Sequence, residues 1–285
     1  MMSYRFLFLS VLLGLLIRSG ERMALAAGAA ASDWHEAAHA RLRLIAARLP
    51  YQGRMRTVAG IDILLEPGWK TYWRSPGDGL TPTIGWQGSA NLKSANVLWP
   101  APARFDEPGG LVSIGYKDSV LLPVLITPAE AGVPVDLAVH LHIGVCKEIC
   151  IPVEMTLRLE IAAAETNSDG EALRVALDRV PKQQSRGVYC PHAFVTAKRR
   201  VVNGKNALVI KTSYDDEVSG RDLFAEAPEG VALPMPVKQP ESTRGRSHYL
   251  ISFDSEEAET ALKGQTLILT SVSDQGSCET TWHME

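Results

Sequence analysis

The sequence predicts an all-β protein of two sandwich domains joined by a short helical connection. Three observations predict it. Most of the chain reads as short runs in which apolar and polar residues alternate, the period of a strand with one buried face. Clusters of Pro and Gly punctuate those runs at the spacing of a sandwich or barrel. One segment alone carries a convincing helical period, and it sits between the two strand-rich halves. The length of 285 residues and a hydrophobic content of 46% suit two domains of ordinary size, each with its own core. A formal net charge of −3 argues against nucleic acid as a partner.

Taken in order, residues 1–26 read as a signal peptide. Arg5 supplies a positive start, residues 6–17 form a nearly unbroken apolar run, and Ala24-Leu25-Ala26 is a cleavage signal, with Ala30 as an alternative end. The run is shorter than the roughly 20 residues that span a bilayer. The expectation is therefore an exported, soluble protein in an oxidising compartment, where four cysteines can pair, with an uncleaved anchor as the alternative.

A first β domain is expected over 33–163. Residues 41–45, 60–64 and 135–143 alternate as strands. "EPGWKTYWRSPGDGLTP" and "WPAPARFDEPGG" supply turns. Residues 164–186 form the helical linker: Leu173, Ala176, Leu177 and Val180 fall on one face, Ser168 or Asp169 caps the start, and Pro181 stops it. A second β domain follows over 187–285. It opens with a hairpin that turns at Asn203-Gly204.

The stretch "IGVCKEICIPVE" holds Cys146 and Cys150. Strand parity places Val135, Leu137, Val139, Leu141, Ile143 and Val145 on a core face. Asp136, His140, His142 and Cys146 fall on the other. On the return strand Val153, Met155, Leu157, Leu159 and Ile161 face the core, opposite in parity to Cys150, Glu154, Thr156, Arg158 and Glu160. Lys147, Glu148 and Ile149 then form a three-residue loop, with the cysteines opposed at its base, exposed and within bonding distance. Pro152 lacks an N–H, which suits an edge strand or a bulge. Closing so short a loop contributes only about 2 kcal/mol, against about 4.6 kcal/mol for linking Cys190 to Cys278. The short pair is thus a weak staple and an easily reduced bond. Redox function, structural bridging and metal binding all stay open on spacing alone. Lys147 favours a thiolate, and Glu148 and Glu154 oppose it.

These residues resemble the active-site hairpin of the periplasmic N-terminal domain of DsbD, the thiol:disulfide interchange protein. The likeness is closest to the ScsB-like branch, linked to suppression of copper sensitivity. "GWKTYWRSPGDGLTP", "NVLWPAPARF" and "GYKDSVLLPV" precede the cysteines in the expected order. "DLFAEAP" and "LTSVSDQGSCETTW" are similar to the second module of that branch. The resemblance implies immunoglobulin-like sandwiches and a redox pair, Cys146 and Cys150, with Cys150 forming the mixed disulfide. It implies a shielding loop near residues 105–113. It also implies electrons from the thioredoxin-like domain of a membrane electron transporter, delivered in trans, and periplasmic disulfide-bearing proteins as acceptors. No cofactor is implied.

Two other readings compete. Cys146 and Cys150 with His140 and His142 make a set suited to copper(I) or zinc, the alternative being that the histidines are surface residues of a sheet. An interaction protein with purely structural disulfides is the third. Cys190 and Cys278 are candidates for a structural disulfide, with Cys190-Pro191-His192 as a possible reactive thiol lacking a third member. Trp69, Tyr72 and Trp73 are expected to pack between sheets rather than floor a cleft. Lys198, Arg199 and Arg200 read as a solvated cluster.

Overall fold

The computed structural model describes residues 31–162, 169–184, 190, 192–214, 219–228, 231, 233–240, 245–253 and 255–284. The expected leader lies outside the described residues. Strands dominate, and they form four sheets stacked as two sandwiches of immunoglobulin-like type. No helix among the described residues is long and apolar enough to cross a membrane.

The first sandwich contains β1 (His35–Ala37), β2 (Ala40–Tyr51), β3 (Arg54–Leu65), β4 (Lys70–Gly77), β5 (Thr83–Gly85), β6 (Leu92–Val97), β7 (Ala103–Asp106), β8 (Val112–Lys117), β9 (Ser119–Pro128), β10 (Val135–Cys146) and β11 (Cys150–Ile161). One sheet runs β1-β2-β3-β9-β6. The other runs β11-β10-β4-β8-β7, with β5 paired to β10. Leu42, Leu44, Ile61, Ile63, Trp73, Leu137, Leu141 and Leu157 are among the side chains that close the core between them. The expected alternation holds on β11, where Val153, Leu157, Leu159 and Ile161 are buried and Glu154, Thr156, Arg158 and Glu160 are exposed. Each buried aliphatic side chain of this kind contributes about 1.5–3 kcal/mol of transfer free energy.

Alternation fails on β2 at Ile45-Ala46-Ala47, all buried, because both faces are covered there. The cover is α1 (Gly170–Asp178), whose Leu173 and Leu177 pack on Ile45, Ala47 and Val58. The helical connection is therefore docked on the outer face of the first sandwich. It ends sooner than its periodicity suggests. The N–H of Arg179 bonds the Ala176 carbonyl and that of Val180 the Leu177 carbonyl, so the last turn tightens and Val180 falls outside. Ser168 lies outside the described residues. Asp169 occupies the N-cap position without a capping hydrogen bond, its carboxylate lying 3.7 Å from Arg43 instead.

The second sandwich contains β12 (Lys182–Gln183), β13 (His192–Val202), β14 (Lys205–Tyr214), β15 (Asp222–Glu226), β16 (Val237–Lys238), β17 (Arg246–Ser252), α2 (Glu256–Ala261), β18 (Thr266–Ser273) and β19 (Gly276–His283). Its sheets run β12-β19-β18-β15 and β13-β14-β17-β16. Leu208, Ile210, Tyr249, Ile251, Leu267 and Leu269 lie in its core. Asn203 and Gly204 both take positive φ, 51° and 78°, as the turn between β13 and β14 requires. The sequence reading did not anticipate α2 or the strands of two or three residues, which are too short for a period to register.

Candidate redox site

The hairpin β10–β11 is in register over its whole length, from Val135 opposite Ile161 to Cys146 opposite Cys150. The Lys147 N–H bonds the Ile149 carbonyl and closes the three-residue loop. Cys146 and Cys150 form a disulfide, with Cα atoms 4.1 Å apart. The two cysteines differ in exposure. Cys150 is exposed, whereas Cys146 has 0% exposure. This corrects the expectation that both stand open on the non-core face. β11 is the edge of its sheet, but β10 is internal, and on its other side Cys146 pairs with Lys70 of β4.

β4 also supplies the group that covers the disulfide. Tyr72 is buried, and its hydroxyl donates to Cys146 Sγ at 2.9 Å and lies 3.1 Å from Cys150 Sγ. Burial, followed by the negative charge of Glu107, raises the Tyr72 pKa, so the phenol stays protonated and remains a donor. Two glycines make room for its ring. A Cβ on Gly144 would stand 2.9 Å from Tyr72 Cε2, and one on Gly79 would collide with the ring from the β4–β5 connection. Gly144→Ala is therefore expected to cost about 1–3 kcal/mol by overpacking and to push the hydroxyl off the sulfurs. The midpoint of urea unfolding checks the first effect, and the Tyr72 ring resonances check the second. An unchanged midpoint would refute the slot.

Of the aromatic trio, Trp73 packs in the core with 0% exposure. Trp69 stacks on His39 with ring centroids 3.8 Å apart. Packing between sheets is right for those two, while Tyr72 turns to the opposite face. The alternation in "KTYWR" carries that signal, but nothing local says which strand lies alongside.

The connection between β7 and β8 reaches the same place. Glu107 accepts hydrogen bonds from Lys70 Nζ and Ser113 Oγ, and Lys70 Nζ sits 5.5 Å from the centre of the Phe105 ring. The Val112 N–H donates to the Asp78 carboxylate at 2.8 Å, and the Asp78 N–H returns a bond to the Val112 carbonyl at 3.0 Å. Residues 105–113 are thus tied to β4 on the side that carries Tyr72. Partial burial tends to raise the Glu107 pKa. The hydrogen bonds from Lys70 and Ser113, with the Lys70 charge, outweigh it and hold the carboxyl below its ordinary range. A carboxyl with a depressed folded-state pKa contributes stability above its unfolded pKa and loses it as pH falls through the folded value. Amide protection of residues 107–112, corrected for intrinsic exchange, is expected to be full at neutral pH and to fade on acidification below the ordinary carboxylate range. The core of β2 and β3 should stay protected. Uniform protection of the loop down to that pH would show that Glu107 does not hold it.

Lys147 lays its stem against Gly68, Glu148 and Glu154 are exposed, and Ile149 at the tip is 65% exposed. Leu111 in the 107–111 turn and Leu80 next to Gly144 are further exposed apolar side chains.

The histidines are not brought to the sulfurs. Nε2 of His140 is 2.8 Å from the Gln87 carbonyl, and its Nδ1 is 2.9 Å from Thr156 Oγ1, so both ring nitrogens are engaged. His142 stands opposite Glu154. Both line an open cavity of about 550 Å³, with Thr83, Gln87 and the partly buried Met155. Among the described residues no three of His, Cys, Asp or Glu are grouped to hold a metal ion. Lys198, Arg199 and Arg200 are exposed, as a solvated cluster would be, with Arg199 3.6 Å from Glu259. Cys190 and Cys278 form the second disulfide, with Cα atoms 5.8 Å apart. Cys190 is thereby bonded rather than a free thiol, which corrects the reading of residues 190–192 as a reactive site.

The disulfide, between one buried and one exposed cysteine, thus stands at a hairpin tip on an immunoglobulin-like sandwich. Residues 47–161 match the family described as thiol:disulfide interchange protein DsbD, N-terminal. The chain is also similar in structure to the N-terminal periplasmic domain of ScsB from Proteus mirabilis. The TM-score is 0.66 at 22% identity, over 90% of this chain and 98% of that one. The resemblance seen in the sequence thus rests on a family match for the first sandwich and on a shared fold for both. No curated protein sequence matches the chain.

Proposed function

We propose that the chain is a periplasmic thiol:disulfide interchange module that cycles Cys146 and Cys150 between disulfide and dithiol. The observation that carries this is the asymmetry of the pair: one cysteine exposed, the other buried beneath a hydroxyl that donates to it. A thiolate of a thioredoxin-like donor attacks Cys150 Sγ. The bond to Cys146 breaks, and Cys146 leaves as a thiolate that keeps the Tyr72 hydrogen bond. The donor's second thiolate then attacks the donor sulfur of the mixed disulfide and releases Cys150. The donor ends as a disulfide and this chain as a dithiol, with two electrons transferred and the departing thiolates protonated from water. An acceptor disulfide reverses the sequence, with Cys150 as nucleophile and Cys146 resolving. Exposed Ile149, Leu80 and Leu111 give a partner apolar contacts around the tip.

The test uses Cys146→Ala, which leaves Cys150 without a resolving thiol. With a thioredoxin-like donor whose own resolving cysteine is removed and whose remaining thiol is activated as a mixed disulfide, this variant is expected to accumulate a stoichiometric adduct at Cys150. The native pair should also equilibrate with a dithiol donor. Absence of the adduct, with a reduction potential far below that of the donor, would sink the proposal.

A further inference from the structure

We propose that the second sandwich is a positioning module for the redox pair, acting through Arg104 on the placement of Tyr72. The inference rests on the interchange reading above. Among the described residues, the hydrogen bonds and ring contacts between the sandwiches fall on β4 and β7. Arg104 of β7 donates to both carboxylate oxygens of Asp222, at 2.9 and 3.0 Å, and to the carbonyls of Leu223 and Pro236 at 3.1 and 3.2 Å. Its guanidinium lies 5.4 Å from the centre of the Phe224 ring. On β4, Arg74 holds Glu226 at 2.7–3.2 Å and reaches Glu279, and Trp73 meets Phe224 with ring centroids 5.8 Å apart. Met235 closes on Gly77 at the end of β4.

These anchors lie next to the non-cysteine members of the site. Trp73 and Arg74 follow Tyr72 directly, and Arg104 precedes Glu107 by three residues. The cysteines sit on β10 and β11. One wall of the site, with Tyr72, Lys70 and Glu107, is thus fastened to the second sandwich, and the other wall carries the sulfurs. Asp222 is itself oriented, because its Oδ1 accepts from the Leu223 N–H at 2.7 Å. A bidentate Arg–carboxylate pair completed by two carbonyls has a fixed direction, which a single charge would not impose. Arg104 touches neither sulfur, so any effect it has must pass through β4, β7 and the tyrosine.

The hydrogen bond from Tyr72 is stronger to a Cys146 thiolate than to a neutral disulfide sulfur, so it favours the reduced state. Removing it by Tyr72→Phe is expected to shift the equilibrium with glutathione about tenfold toward the disulfide, the change in a hydrogen bond to a charged group. Arg104→Met is expected to shift it about threefold the same way and to raise the Cys146 thiol pKa, read from the pH dependence of thiolate absorbance. In a Tyr72→Phe background Arg104→Met should add almost nothing, because the group it places is gone. Arg104→Lys should recover part of the shift. An Arg104→Met variant with unchanged equilibrium and thiol pKa, or one whose effect adds fully to that of Tyr72→Phe, overturns the proposal. Should Arg104→Met fail to fold, Asp222→Asn releases the same clamp from the other side and is read by the same cycle. Glutathione equilibria need no protein donor, so absence of a donor adduct would count against the interchange reading and leave this test standing.

Discussion

Cys150→Ser is expected to abolish interchange completely while lowering the stability of the chain by only about 2 kcal/mol. The first half follows from access. Cys146 is fully buried, so an incoming thiolate has one sulfur to strike, and the variant offers none. The second half follows from loop size: the cysteines are four residues apart, and the hairpin is already held by its twelve-residue strands. Cys146→Ala should lose turnover equally yet still form an adduct, because Cys150 keeps its thiol. Transfer of electrons from a thioredoxin-like dithiol, measured beside urea unfolding, checks both halves. A stability loss of about 4 kcal/mol or more with transfer intact would make the pair a staple.

The opposite pattern is expected for the other disulfide. Replacing Cys190 and Cys278 together by Ser should cost about 4.6 kcal/mol on the same model, because the bridge spans 88 residues. Its position strengthens the argument. Cys278 is 1% exposed within β19, while Cys190 leads into β13, so the bond links the two sheets of the second sandwich. The second sandwich should unfold at a lower denaturant concentration, with the first left to unfold on its own core. Calorimetry before and after the substitution reads this directly. A loss under about 1 kcal/mol would remove the structural role. Any fall in interchange in this variant would come through the clamp at Arg104 and should vanish in a Tyr72→Phe background.

The cysteine hairpin was legible in the sequence because everything it needs is local. Alternation from Val135 to Ile161 sets the faces, and a three-residue loop sets the register. The two sandwiches and the helix between them were legible for the same reason, period by period. What was not legible depends on strands distant in sequence. Cys146 is buried because β4, some seventy residues earlier, runs beside β10, and no pattern near either strand announces the pairing. Tyr72 reads as one aromatic among three until Gly79 and Gly144 are seen against opposite edges of its ring. Arg104 and Asp222 are separated by 118 positions, and each alone looks like an ordinary surface charge.

The edge position of β11 bears on how this protein avoids its own kind. A twelve-residue strand with one free side is a template on which other chains could stack into fibrils. Pro152 withholds an amide from that template, and Glu154, Arg158 and Glu160 set charges along it. Both features disfavour edge-to-edge pairing of copies along the hairpin. On the interchange reading proposed above, a partner would instead be met at the tip, where Ile149 and Cys150 are exposed.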